Sequence, residues 1–188
     1  MRHLIEGVRS ALAAENWYAA LGLALALPDI CGYLEGRQIN GQREGSQARS
    51  VRWFDENSDF EYLTNEPDGG KVKLSGRDCY ALRCAYLHQG DLDLTDQWVR
   101  ETLRHFRFVR SSVGGVLPQA LDGGLLIEPA EFCLKLCSIA ERWLSRVESD
   151  PVIARNIDEM AMIEPWVAGK LYVPVWTVKH DRRWRGQG

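Results

Sequence analysis

The feature that most restricts this chain is Trp17-Tyr-Ala-Ala-Leu-Gly-Leu-Ala-Leu-Ala-Leu27, eleven apolar residues in a row. A bilayer span needs about 20 such residues, so the run is expected to be a core helix and not a membrane crossing. It is apolar nearly all round and rich in alanine. A helix of that kind sits in the middle of a fold, wrapped by neighbours that its small side chains let come close. Asn16 is placed to cap its start. Pro28 is expected to end, bend or restart it, which puts Asp29 at a break or at the far edge.

The segments around this run supply the wrapping. Residues 2 to about 15 carry Leu4, Ile5, Val8 and Leu12 at helical spacing. Residues 35 to 49 are polar and predict a loop leading into a short helix from about Ala48 to Phe60. Residues 64 to 74, with Pro67-Asp68-Gly69-Gly70, predict another loop. Ser75 opens a helix with Asp78 three residues later, and Gly90 is its expected end. Leu103 to Arg110 alternates as a strand does, Gly123 to Ile127 is a second candidate strand, and the two predict a hairpin. Pro129 opens a long helix with Cys133, Leu136, Cys137, Ala140, Leu144 and Val147 on one stripe, and Asp150-Pro151 starts a short one. Leu171 to Val178 is apolar and β-like. The expected class is mainly α, a helical bundle with a small antiparallel β element in the C-terminal half.

Size and charge set outer limits. The 188 residues suit a single domain, 1–188. A hydrophobic share of 45% with 26% charged residues is ordinary globular usage, against disorder, collagen and coiled coil. A net charge of −3 argues against a protein that coats DNA, while a local RNA patch needs only a few cations in one place. The five cysteines, Cys31, Cys79, Cys84, Cys133 and Cys137, lie in apolar contexts and are expected to be reduced, buried thiols in a cytoplasmic protein. Glu6 stands where the apolar region of a secretory signal would run. Cys84/His88 and Cys133/Cys137 have i, i+4 spacing, but buried cysteines on apolar stripes are commoner than such zinc sites, so no metal and no cofactor are expected. Nucleotide-loop, hydrolase-elbow and zincin motifs are missing.

The chemistry-bearing segment is Asp78-Cys-Tyr-Ala-Leu-Arg83-Cys-Ala-Tyr86-Leu-His88-Gln-Gly90, which holds Arg-x4-His late in a helix. With Leu-Pro-Asp29-Ile-Cys upstream, it resembles the HEPN superfamily of bacterial helical proteins over roughly residues 1–95, with 96–188 left to complete the domain. Many members of that superfamily are toxin or defence ribonucleases built around Arg-x4–6-His. Here Cys84 follows the arginine, where nuclease members often carry a polar residue. The resemblance implies a homodimer, RNA as substrate or ligand, and an antitoxin or nucleotidyltransferase-type partner. It implies Arg83 and His88 as the catalytic pair, with Asp29 and Tyr86 as supports if the fold brings them near.

On an ideal α-helix, residues five apart point about 140° away from each other, so Arg83 and His88 would not share a stripe. Cys79, Leu82, Arg83 and Tyr86 would form one face and Ala81, Cys84, Ala85 and His88 another. The second, mostly of small residues, is expected to be a protomer interface with His88 at its edge. Two copies would then gather two arginines and two imidazoles around one phosphate. An imidazole is the side chain whose ordinary titration lies near neutrality, suited to taking a proton from a ribose 2′-OH, and a guanidinium fork suits the phosphorane oxygens. The plainer expectation is structural: Arg83 paired with Asp78 or Asp91, and His88 closing the helix end. Arg182, Arg183, Trp184 and Arg185 near the C-terminus form a candidate RNA grip with one stacking ring.

Overall fold

The structure is a computed structural model, and it describes residues 1–64, 70–89, 93, 103–110, 118–121, 124–161 and 163. The basic tail 182–185, the β-like run 171–178, Asp91 and Gly90 lie outside the described residues.

Six helices are described: α1 (Arg2–Ala13), α2 (Trp17–Leu34), α3 (Ser46–Asn57), α4 (Gly76–Cys84), α5 (Pro129–Val147) and α6 (Pro151–Asp158). The expected caps form. Asn16 accepts from the Ala19 amide, Ser75 from the Asp78 amide, and Asp150 from the Val152 and Ile153 amides. α2 is the central helix and packs against α1, α3 and α5, with α4 and α6 at its sides. By length and composition α2 would cross a bilayer, yet over half of it is buried inside the protein, as a core helix is.

Pro28 does not end α2, contrary to the expectation of a break; the helix continues to Leu34. A proline inside a helix costs roughly 3 kcal/mol. Burying a leucine returns roughly 1.5–3 kcal/mol, and Leu25, Leu27 and Leu34 are all buried along this helix. Tertiary burial therefore outweighs the proline, and Asp29 sits inside a helix.

The loops predicted before and after α3 contain strands. β1 (Gln38–Ile39) and β2 (Gln42–Arg43) form a hairpin across Asn40-Gly41, both with positive φ, the requirement of a type I′ turn. β3 (Glu61–Leu63) and β4 (Lys71–Lys73) pair antiparallel. They join β5 (His105–Phe108), β6 (Gln119–Leu121) and β7 (Gly124–Ile127) in one sheet ordered β4-β3-β6-β7-β5. The β element is thus larger than a C-terminal hairpin and takes strands from both halves of the chain. The two strands expected to form a hairpin, β5 and β7, are neighbours but run parallel. β6 takes the other edge of β7 and is the strand that pairs with it antiparallel.

One hydrophobic core runs from Met1 to Ile153 in sequence. Trp53 of α3 meets Trp143 of α5 edge-on, and Phe60 and Phe108 both meet Phe132 at the start of α5. These contacts fix the sheet against one end of the helices and leave the middle of α2, with α3 and α4, to form a polar cluster.

Candidate functional site

The polar cluster centres on Asp29, whose side chain is only 13% exposed. A carboxylate placed this deep needs partners. It has three: Ser46 Oγ donates to Oδ2 at 2.8 Å, Arg49 Nε to Oδ1 at 2.6 Å, and Arg83 Nη2 to Oδ2 at 3.0 Å. Two guanidiniums share one carboxylate, so these three charges carry a net positive charge. Glycine makes the approach possible. A Cβ on Gly32 of α2 would meet the Arg49 carbonyl oxygen at 2.8 Å, and one on Gly76 of α4 would meet the Val51 carbonyl oxygen at 2.4 Å. Both lie inside ordinary contact distance, so α2, α3 and α4 come this close only because no side chain stands there.

Arg83 lies in the last turn of α4, 17% exposed, with the Tyr80 ring 5.4 Å from its centre. Its Nε is buried and has no hydrogen-bond partner among the described residues. Burial raises the Tyr80 hydroxyl above its ordinary pKa, with hydrogen bonding to the Cys84 thiol adding to the rise. On the other side of Asp29, Arg49 also donates to the Glu44 carbonyl and approaches the Tyr33 ring. Arg43, from the β1–β2 hairpin, lies over the same ring at 3.6 Å. A separate network beside it holds Arg52 between Glu44 at 2.8 Å and Glu35 at 2.7 Å. Burial lowers the pKa of that guanidinium, but hydrogen bonds to Glu44 and Glu35 overcome this and leave it raised.

The structure thus brings Asp29 and Arg83 together and adds Ser46, Arg49 and Tyr33, which were not singled out. Their signals were present. Asp29 and Tyr33 are four apart on one helix, and Ser46 and Arg49 are three apart on another, each pair on a common face. Arg83 has Tyr80 of its own helix beside it and makes its ion pair with Asp29 of α2. Asp78 instead bonds Ser75 Oγ and accepts from the Leu103 amide.

His88 is exposed, and among the described residues it has no hydrogen-bond or ion-pair partner. It does not stand on the expected α-helix. Residues Ala85–Gln89 form a π turn. Such a turn closes its hydrogen bond over one residue more than an α turn, so residues five apart come round nearer to one face than 140°. Tyr86 is not beside Arg83's partners. Its hydroxyl donates to the Tyr18 carbonyl at 2.9 Å, and burial raises its pKa.

The small-residue face expected at a protomer interface is only partly open: Cys84 is half-buried and His88 exposed. Ala81 and Ala85 are fully buried in the chain's own core. Their small side chains admit neighbouring elements of the same chain. What lies open around the π turn is Leu87, 43% exposed, and Tyr18, 79% exposed, at the start of α2. The four cysteines other than Cys84 are buried and all five are free. Burial pushes Cys133 up to about 12 and Cys137 up to about 11. Among the described residues, no three His, Cys, Asp or Glu side chains converge to hold a metal.

Comparison with known proteins found no matching family model, curated protein or solved structure.

Proposed function

We propose that this chain is a HEPN-like, metal-independent endoribonuclease that acts as a homodimer. The observation that carries the reading is Arg83. Asp29 fixes its guanidinium from one side, and the Tyr80 ring lies 5.4 Å from its centre. A charged fork held in one orientation, its side chain still 17% exposed, suits a phosphate that arrives from solvent. An exposed imidazole follows five residues later, on a π turn.

In this mechanism His88 takes the proton from a ribose 2′-OH. The 2′ oxygen attacks the adjacent phosphorus, and the bond from phosphorus to the 5′ oxygen breaks. The second copy's imidazolium protonates that leaving oxygen. Arg83 braces the phosphorane, where added negative charge develops. The products are a 2′,3′-cyclic phosphate and a free 5′-OH. The second copy docks through the exposed surface at Tyr18 and Leu87, which border the π turn.

The test is RNA cleavage in EDTA by the wild-type chain, Arg83→Ala and His88→Ala. Cleavage leaving cyclic phosphate ends, lost in both variants, supports the enzyme. Resistance of the matching DNA follows from its missing nucleophile. A folded wild-type chain that leaves RNA intact sinks the nuclease reading. The alternative is a non-catalytic module that binds RNA or a protein on the same face. An intact RNA substrate that nonetheless binds tightly would select that reading.

A further inference from the structure

A cavity of about 410 Å³ opens beside Asp29, lined by Asp29, Ile30, Tyr33, Leu34, Arg49 and Met160 among others. Its volume is within the range that small ligands occupy. Its walls include His3 and the carboxyl groups of Asp29 and Glu159, and beside them surfaces of two further kinds. Ile30, Leu34 and Met160 give aliphatic sides, while Tyr33 and Arg49 give an aromatic ring and a planar cation. Tyr33 is 42% exposed, and Arg43 over its ring at 3.6 Å holds that ring in place. An aromatic face beside a guanidinium plane is the surface on which an unstacked base settles.

The position of this cavity matters as much as its lining. Asp29 accepts from Arg49 on Oδ1 and from Arg83 on Oδ2. The cavity wall and the proposed phosphate ligand are therefore separated by a single carboxylate group. A base in the cavity is therefore held next to the cluster that fixes Arg83.

We propose that this cavity is a nucleobase pocket, which receives one base of a single-stranded RNA and so sets where the strand lies across Arg83. The inference rests on the RNA reading above and adds the place where a base is held. Binding energy gained in the pocket positions the phosphate without touching the reacting atoms. Tyr33 is a binding residue in this scheme, and Arg43 a positioning residue that acts through the ring.

The experiment measures binding of a fluorescein-labelled, 2′-O-methylated RNA decamer by anisotropy. The methylated strand lacks the free 2′-OH and is not cleaved, so binding is read alone. The proteins are the wild-type chain, Tyr33→Leu, Tyr33→Phe and Met160→Trp. Loss of one stacked base weakens binding about ten-fold, so Tyr33→Leu falls by that factor and Tyr33→Phe stays within about two-fold. Met160→Trp fills the cavity from its aliphatic side and falls like Tyr33→Leu, which guards against a folding artefact in either variant. Adenosine 3′-monophosphate serves as a second probe. Nucleotide bound with the same dependence on Tyr33, by a chain that ignores the decamer, would overturn the assignment to RNA. Wild-type binding to the decamer with no change in Tyr33→Leu and Met160→Trp would overturn the pocket and leave the RNA reading standing. A wild-type chain that binds neither probe would overturn both.

Discussion

Arg83 Nη2 and Asp29 Oδ2 meet at 3.0 Å across 54 residues of sequence, and that contact joins α4 to the middle of the central helix. Because Arg49 and Ser46 share the carboxylate, Asp29 holds three helices to one point.

Removing that point is expected to be costly. Asp29→Ala leaves two guanidiniums facing each other in a half-buried site, and breaking one partner of a buried pair costs roughly 3 kcal/mol. Urea denaturation should show a midpoint shift with unchanged slope. Arg83→Ala removes one cation and leaves Asp29 with Arg49, so it should cost less. An Asp29→Ala protein as stable as wild type would show that the cluster does not hold the helices.

His88 should behave in the opposite manner. It is exposed and without a polar partner among the described residues, so His88→Ala should shift stability by no more than about 0.5 kcal/mol. The same substitution should abolish RNA cleavage. Full activity in a stable His88→Ala protein would remove the imidazole from the mechanism.

The glycines give a prediction whose sign is decided by geometry. In a helix interior, glycine to alanine is ordinarily worth up to about 1 kcal/mol in favour of alanine. At Gly76 the added Cβ would stand 2.4 Å from the Val51 carbonyl oxygen, a backbone atom that cannot turn aside. Overpacking of this kind costs roughly 1–3 kcal/mol, so Gly76→Ala should destabilise by about 1–2 kcal/mol net. Gly32→Ala, at 2.8 Å from the Arg49 carbonyl, should follow the same sign and also weaken the hold on Arg83. Thermal midpoints check both, and a rise in either would mean that α3 moves aside freely.

The core thiols predict an alkaline limit to stability. Burial raises Cys133 to about 12 and Cys137 to about 11, and lifts Cys31 and Cys79 as well. In the unfolded chain a thiol ionises near 8.5. Below that pH both states keep the proton and the stabilisation is whole. Above it the unfolded chain releases protons that the folded chain retains, so stability falls with rising pH until the folded values are passed. Denaturation between pH 8 and 11 should show this decline, and Cys133→Ala with Cys137→Ala should flatten it. An unchanged slope in the double variant would place the alkaline sensitivity elsewhere.

Helix starts were legible because they depend on single side chains: Asn16, Ser75 and Asp150 all cap as their identities predict. The long stripe of α5 was equally plain. Pro28 was misleading because a local rule met a tertiary fact, the burial of Leu25, Leu27 and Leu34 on the same helix. The β1–β2 hairpin was missed although Asn40-Gly41 is its usual signal, because two-residue strands leave no alternation to find. The parallel pairing of β5 and β7 has no local signature. Asp29 and Arg83 were recognisable as types, but their contact was not, because nothing in either segment encodes a neighbour so far along the chain. The π turn was invisible for a related reason. Ala85 to Gln89 have ordinary helical side chains, and the docking of Tyr86 on the Tyr18 carbonyl is a contact the local sequence does not announce.

That turn carries one residue more than a regular helix would need to cover the same rise. The surplus acts as a phase shifter: a side chain within the turn stands rotated from where a regular helix would put it. Deleting a single residue between Ala85 and His88 should restore regular winding and swing the imidazole to another compass bearing, with the arginine's own surroundings untouched. The direction of the ring is thus written in a count of residues, and an insertion or deletion there would matter more than most exchanges of one side chain for another.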